Sequence, residues 1–323
     1  MRILPSTVIL LLAYQTVFAA PAQPFLTRDQ NPLLLVYGLP AASAARLPEH
    51  GTWQTDWTAN LSNTLNIQTA ENESLIIDGE IYQTMLHAEY GVADNWSIGV
   101  QAGWLTHTGG FMDQSIETYH DWFGLPQGDR TGQPHDRLLY RYTRNGVEAL
   151  QLNNTDSGVS DMQLTTAYCL QQSPQRDYSV HASLKLPTGD PSRMTGSGAA
   201  DVSVWLSGRE TIGDNWQTFG NAGVLIPGKG DILPDQQQNK VWFSNLGLQW
   251  QFWSSVALKL QFEWHSSFYS DSALRFMGDA TQLTTGGSWQ ISPGLAFDVA
   301  LTEDIKVEES PDVTFHFALR FSY

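Results

Sequence analysis

The sharpest chemical pairing in the chain is Glu263-Trp264-His265-Ser266-Ser267. His265 and Ser267 stand two apart, so on an extended strand they share a face, as a general base and the nucleophile it activates must. Such a pair suits ester hydrolysis, with lipid as the substrate where the face meets a bilayer. Here that face also carries the polar Glu263 and Gln261, whereas lipid hydrolysis wants the pair at the lipid face, so lipid hydrolysis is the weakest of the readings. Other motifs are thinner. Gly196-Ser197-Gly198 and Gly228-Lys229-Gly230 fall in loops with no following helix to receive a phosphate. His120, His135 and Asp136 share a long acidic segment with Asp113 and Asp121, a pattern commoner on exposed loops than in metal centres. The single cysteine, Cys169, cannot form an internal disulfide and reads as a small filler. No catalytic residue, metal ligand set or cofactor is expected.

The element that must position such residues is a strand. In DVTFHFALRFSY, the large apolar residues Val313, Phe315, Phe317, Leu319, Phe321 and Tyr323 alternate with Thr314, His316, Ala318, Arg320 and Ser322. Successive side chains of a strand point to opposite faces, so one face is apolar and the other polar. Beyond Gly51, alternating segments fall near 53–67, 75–92, 96–108, 159–171, 177–187, 199–211, 216–227, 240–252, 256–270, 279–291, 294–304 and 312–323. The segment at 75–92 is ambiguous, because Ile76, Ile77, Ile81 and Tyr82 fall on both faces.

Twelve is an even number, and the connections sort themselves. Short turns such as Ala93-Asp94-Asn95 and Ser292-Pro293 alternate with longer ones at 68–74, 109–158, 188–198, 228–239, 271–278 and 305–311. A soluble sandwich has no reason to sort short and long loops onto opposite ends. The expectation is an all-β, transmembrane, antiparallel up-and-down barrel of about 12 strands in the bacterial outer membrane, with short periplasmic turns. An open edge in lipid would strand backbone groups, so the sheet must close.

Residues 1–20 read as a secretory signal peptide, with Arg2 before an apolar stretch too short to span a bilayer and Ala19-Ala20 at the cut. Residues 21–51 contain QNPLLLVYGLPAASA, apolar and punctuated by Pro32 and Pro40; they are expected to lead into the barrel or to plug its periplasmic mouth. The barrel is expected over 52–323, with a large extracellular loop at 109–158. That loop holds a short helix capped by Asp113-Gln114-Ser115 and a hairpin around Asn145-Gly146. The formal charge of −16 argues against nucleic acid as a partner.

RDQNPL at 28–33, GLP at 38–40, HDWFGLPQGDR at 120–130 and GDATQLTTGGSWQISPGLAFDVALTEDI at 278–305 together resemble a family of Gram-negative outer-membrane proteins known as domain of unknown function 3187. SGVSDMQLTTAYCL, SLKLPTGD and GSGAADVSVWLSG resemble the barrels of phenol-degradation (meta-pathway) outer-membrane proteins. The first resemblance implies an outer-membrane barrel, and the second implies uptake of apolar or aromatic compounds. Neither supplies catalytic residues.

On the alternation, the lumen-facing candidates include Asp56, His181, Lys185, Trp205, Lys259, Glu263, His265, Asp298 and Arg320. In a twelve-stranded barrel such groups either pair and fill the interior or line a path. Phe321 and Tyr323 are expected to form the assembly signal read by the barrel-assembly machinery. Two main readings stay open. A monomeric barrel surrounded by outer-membrane lipid passes or captures small hydrophobic solutes, or it is a structural barrel that displays its long loop.

Overall fold

The computed structural model describes residues 21–124, 127, 130, 132–306 and 308–323; the expected signal peptide lies outside the described residues. In chain order the elements are β1 (Trp53–Thr69), β2 (Glu73–Ala93), β3 (Trp96–Thr108), α1 (Asp113–Phe123), β4 (Leu139–Arg144), β5 (Val147–Leu152), β6 (Asp156–Val159) and β7 (Met162–Gln172). They continue with β8 (Arg176–Leu186), β9 (Asp201–Thr211), β10 (Trp216–Ile226), β11 (Val241–Trp253), β12 (Val256–His265), β13 (Ala280–Ser292), β14 (Leu295–Asp304) and β15 (Val313–Ser322).

Neighbouring strands pair antiparallel, and β1 pairs β15 from Gln54↔Ser322 to Asn63↔Val313, which closes the sheet into a barrel. The wall has 12 strands. β6 and β7 together form one of them, since β3 pairs β7 through Gln101↔Gln163 and then β6 from Trp104↔Val159, with a one-residue slip between. Ser160 still donates its N–H to the Gly103 carbonyl across the slip (2.9 Å), and because β6 starts at Asp156 the long connection ends at residue 155 and not at 158.

Two other expectations change. The connection at 68–74 shrinks to residues 70–72, because β1 and β2 keep pairing as far as Thr69↔Ser74. At 17 and 21 residues these strands outrun their neighbours and stand above the rim. There β4 pairs with β2, and the β4–β5 hairpin turns at Asn145 and Gly146, both at positive φ, as a tight two-residue hairpin requires. Helix α1 has Met112 at its N-cap with no side-chain cap. Asp113 is instead turned toward Arg130 and Asn63.

β12 shows why the sequence alternates. Leu258, Leu260, Phe262 and Trp264 are exposed outside, while Ala257, Lys259, Gln261 and His265 are buried inside. Apolar outside and polar inside is the inverse of a soluble protein, and suits a wall solvated by lipid. Aromatic side chains gather at the end carrying the short turns: Trp53 packs on Tyr90 at 4.9 Å and Trp216 stacks on Trp250 at 5.7 Å. Phe321 and Tyr323 belong to the same ring of exposed aromatics, 36% and 71% exposed. The ambiguity in β2 resolves with Leu75, Ile77 and Ile81 inward, under an apolar cap at the opposite, long-loop end.

Candidate functional site: a lumen threaded by the N-terminal segment

Residues 21–51, expected to lead into the barrel or to plug its periplasmic mouth, run the length of the lumen and back. The rising limb lies parallel to β12 at a constant offset of 236 positions. Lys259 Nζ donates to the Gln23 carbonyl (3.0 Å), and the Gln261 side chain brackets Phe25, accepting from its N–H (3.0 Å) and donating to its carbonyl (3.2 Å). Thr27 Oγ1 donates to Glu263 (2.9 Å), and His265 Nε2 meets Asp29 Oδ2 at 3.0 Å. Both chains are extended and advance together, so every second residue of β12 meets every second residue of the limb.

The base of this ladder is an ion cluster. Asp298 accepts from Arg320 Nε (2.9 Å) and lies 3.4 Å from Lys259 Nζ, while Arg320 also donates to Gln23 Oε1 (2.7 Å) and to the Pro24 carbonyl. Lys259 further sits 4.2 Å from the centre of the Phe25 ring. Asp298 is thus shared by two cations that both hold the incoming chain, which is how a carboxylate can be buried to 1% exposure.

At the top, Asn31 Oδ1 accepts from the Leu33 N–H (2.9 Å) and a tight turn reverses the chain. The turn residues Leu33, Leu34, Val36 and Tyr37 are buried among Leu75, Tyr140, Tyr142, Phe243, Phe268 and Phe276 from the wall and long loops. Tyr269 OH donates to the Leu33 carbonyl (2.8 Å), and Tyr37 packs on Phe268 at 5.2 Å.

The descending limb follows β8–β10. Lys185 Nζ, itself paired with Asp161 (2.7 Å) and Asp201 (3.1 Å), donates to the Val36 carbonyl (2.8 Å). The Gly38 N–H donates to Asp201 (2.8 Å). A Cβ on Gly38 would lie 3.0 Å from that of Lys185, so glycine is what lets the chain approach this pair. Ser43 accepts from Trp205 Nε1 (2.7 Å) and its N–H donates to Asn221 Oδ1 (2.8 Å). The His181 ring stacks on Trp205 at 5.1 Å. Arg28 NH1 crosses to the Leu39 carbonyl (3.1 Å) and ties the limbs together.

Two spaces remain. A vestibule of about 630 Å³ opens at the turn end, lined by Gln23, Gln249, Lys259, Gln290, Asp298 and Arg320. Above it a gap of about 80 Å³ separates the limbs from the wall at Asp56, His87, Gln101, Gln163 and Trp205. There Asp56 accepts from Gln54 (3.2 Å) and lies 3.5 Å from His87. The lumen is a wide antechamber that narrows to a few water volumes where the hairpin fills it.

All nine candidates therefore lie inside, and seven of them, Lys185, Trp205, Lys259, Glu263, His265, Asp298 and Arg320, touch the threaded segment or carry a group that does. The pair His265 and Ser267 is not brought together: the histidine nitrogens meet Asp29 and the Ser266 carbonyl, and Ser267 Oγ donates to the Tyr269 carbonyl (2.5 Å). Sequence reasoning missed Asp29, Asp161 and Asp201. The signal for Asp29 was there, in the two-residue rhythm of Gln23, Phe25, Thr27 and Asp29.

The fold is similar to that of the COG4313 outer membrane channel from Pseudomonas putida F1, with a TM-score of 0.55 at 14% identity over 86% of this chain and 96% of that one. Lower scores relate it to the KdgM porin (0.45, 8% identity, 84% and 99% covered) and to the toluene transporter TbuX of Ralstonia pickettii (0.41, 9% identity, 84% and 89% covered). No curated protein matches the sequence. A family model matches residues 1–323 of the chain, which therefore belongs to the family described as protein of unknown function (DUF3187).

Proposed function

We infer that this chain is an outer-membrane channel for small apolar or aromatic molecules, with its turn end in the periplasm and its lumen closed by residues 21–51. The observation that carries this reading is the seat of the turn at Leu33–Tyr37. Its apolar side chains occupy a basin at the long-loop end formed by wall and loop residues. Burying each large apolar side chain is worth about 1.5–3 kcal/mol, so the tip leaves that basin at low cost only when other apolar matter replaces it. A small apolar solute arriving from outside is such a replacement, while a polar one leaves the basin wet and the tip in place.

Below the tip the segment is held mainly by hydrogen bonds to side chains, each a net contribution of about 0.5–1.5 kcal/mol. A ladder of that kind can be released rung by rung. Gln261→Leu removes both bonds to Phe25 and is expected to raise uptake of a small aromatic solute into liposomes containing the full chain. Absence of uptake by both the native protein and this variant would sink the transport reading.

The reading includes no catalysis, and it is supported by the separation of His265 from Ser267 and by the inward, buried placement of the histidine. Ser267→Ala is expected to leave the products of lipid incubation unchanged by mass spectrometry. Loss of a hydrolysed product in the variant alone would overturn it.

A further inference from the structure

We propose that α1 is an interfacial helix that lies in the outer leaflet of the membrane, with Tyr119, Trp122 and Phe123 inserted among the lipids; this rests on the outer-membrane reading above. Ile116, Tyr119, Trp122 and Phe123 recur at helical spacing and form one stripe. In a helix covered by protein that stripe would be buried. Here Tyr119 is 48%, Trp122 80% and Phe123 65% exposed. The opposite side is the satisfied one: Glu117 meets His135 Nε2 at 3.0 Å, and Asp121 accepts from Gln127 Nε2 (2.6 Å).

The helix is fixed to the outside of the barrel and does not cover the lumen. The inward set of β1 is Asp56, Thr58, Asn60 and Ser62, so Asn63 points outward, yet it is 1% exposed. It is covered because Asn63 Nδ2 donates to Asp113 Oδ1 (3.0 Å), which also accepts from Arg130 NH1 (2.8 Å). On β2, Glu80 is likewise outward and buried, accepting from the N–H groups of Phe111 (2.8 Å) and Met112 (2.5 Å). The segment leading into α1 is thereby clamped to the outer wall by two buried carboxylates.

What covers the stripe follows from where the clamp sits. Phe111, 64% exposed, lies 6.3 Å from the Tyr82 ring, and Tyr82 stands opposite Leu61, which stands opposite Phe315. These residues are the long-loop rim of the apolar belt, so the stripe continues the surface that lipid already covers. Trp and Tyr favour that depth, where an apolar ring and a polar edge are both satisfied. Residues 113–123 contain no Lys or Arg, so attachment by headgroup charge is not available to the helix, and its contact with lipid should be indifferent to salt.

The test places a polarity-sensitive thiol-reactive fluorophore at Trp122→Cys in a Cys169→Ser background, with the full chain refolded into phosphatidylcholine vesicles. Matching labels go at Gln114→Cys on the opposite side of the helix and at Leu86→Cys on the belt. The expected result is quenching of the Trp122 label by shallow nitroxide lipids and about fivefold weaker quenching by aqueous iodide than at Gln114, as for a face sunk into the headgroup boundary. Iodide access equal to that at Gln114 overturns the proposal. So does protection of the label together with crosslinked dimers, which would make a second copy the occupant. If the Leu86 label also escapes lipid quenching, the outer-membrane reading itself falls; if Leu86 is quenched and Trp122 is not, the interfacial helix alone falls.

Discussion

Removal of residues 21–50 is expected to raise the single-channel conductance of the refolded protein by about tenfold or more, because a twelve-stranded wall emptied of its filling leaves a water-filled bore. The threaded hairpin reduces the space beside the wall to a gap of about 80 Å³, whereas the unfilled vestibule below it holds about 630 Å³. Side chains that now bond the hairpin, Lys259, Gln261, Glu263 and His265 on one side and Lys185, Trp205 and Asn221 on the other, would then face water, which satisfies them as well. The wall should survive, since its closure depends on strand pairing and not on the segment. Heat-modifiable migration on a gel reports that survival independently of conductance. A folded but silent truncated barrel would mean that the long loops close the bore unaided, and would end the view of residues 21–51 as the gate.

Lys185→Met is expected to destabilise the barrel by about 3–5 kcal/mol, as breaking one member of a buried ion group does. Lys185 is 1% exposed and stands between Asp161 and Asp201, so its loss leaves two buried carboxylates without the cation that pairs them both. It also removes the bond to the Val36 carbonyl and frees the descending limb just below the apolar tip. Urea unfolding in detergent micelles measures the first effect, and the open probability of the surviving channels measures the second. The triple variant Lys185→Met, Asp161→Asn, Asp201→Asn should recover most of the stability, because burying an ion group is offset by little net gain when all of its charges are removed together. If the triple variant recovers stability and still opens more often than the native protein, the cluster acts on the gate as well as on the wall. If Lys185→Met unfolds no more easily than the native protein, the cluster is not the buried junction described here.

The barrel was legible in the chain because a strand in lipid writes its surroundings into every second residue. Leu258, Leu260, Phe262 and Trp264 could only be one face, and Lys259, Gln261, Glu263 and His265 the other. Nothing local distorts that rhythm in β12, and the strand number followed from period and spacing even though β2 was ambiguous and β6–β7 carry a slip. The Asn145-Gly146 hairpin was legible for a similar reason, since both residues tolerate positive φ.

What tertiary structure alone decided is the content of the lumen. Leu33–Val36 need burial, and the sequence states that need without naming the partner; the basin that receives them is assembled from remote parts of the chain, Leu75, Tyr140 and Tyr142 on one side and Phe268 and Phe276 on the other. The 236-residue register between the N-terminal limb and β12 has the same origin: polar side chains on both partners can bond at many offsets, and only closure of the barrel brings one offset within reach. Likewise Asn63 and Glu80 look like outward polar misfits in their strands until the segment carrying α1 folds over the outer wall. Periodicity reports which medium a side chain faces, lipid or lumen. Which distant segment fills that lumen is a contact between remote parts of the chain, and such contacts exist only once the wall has closed.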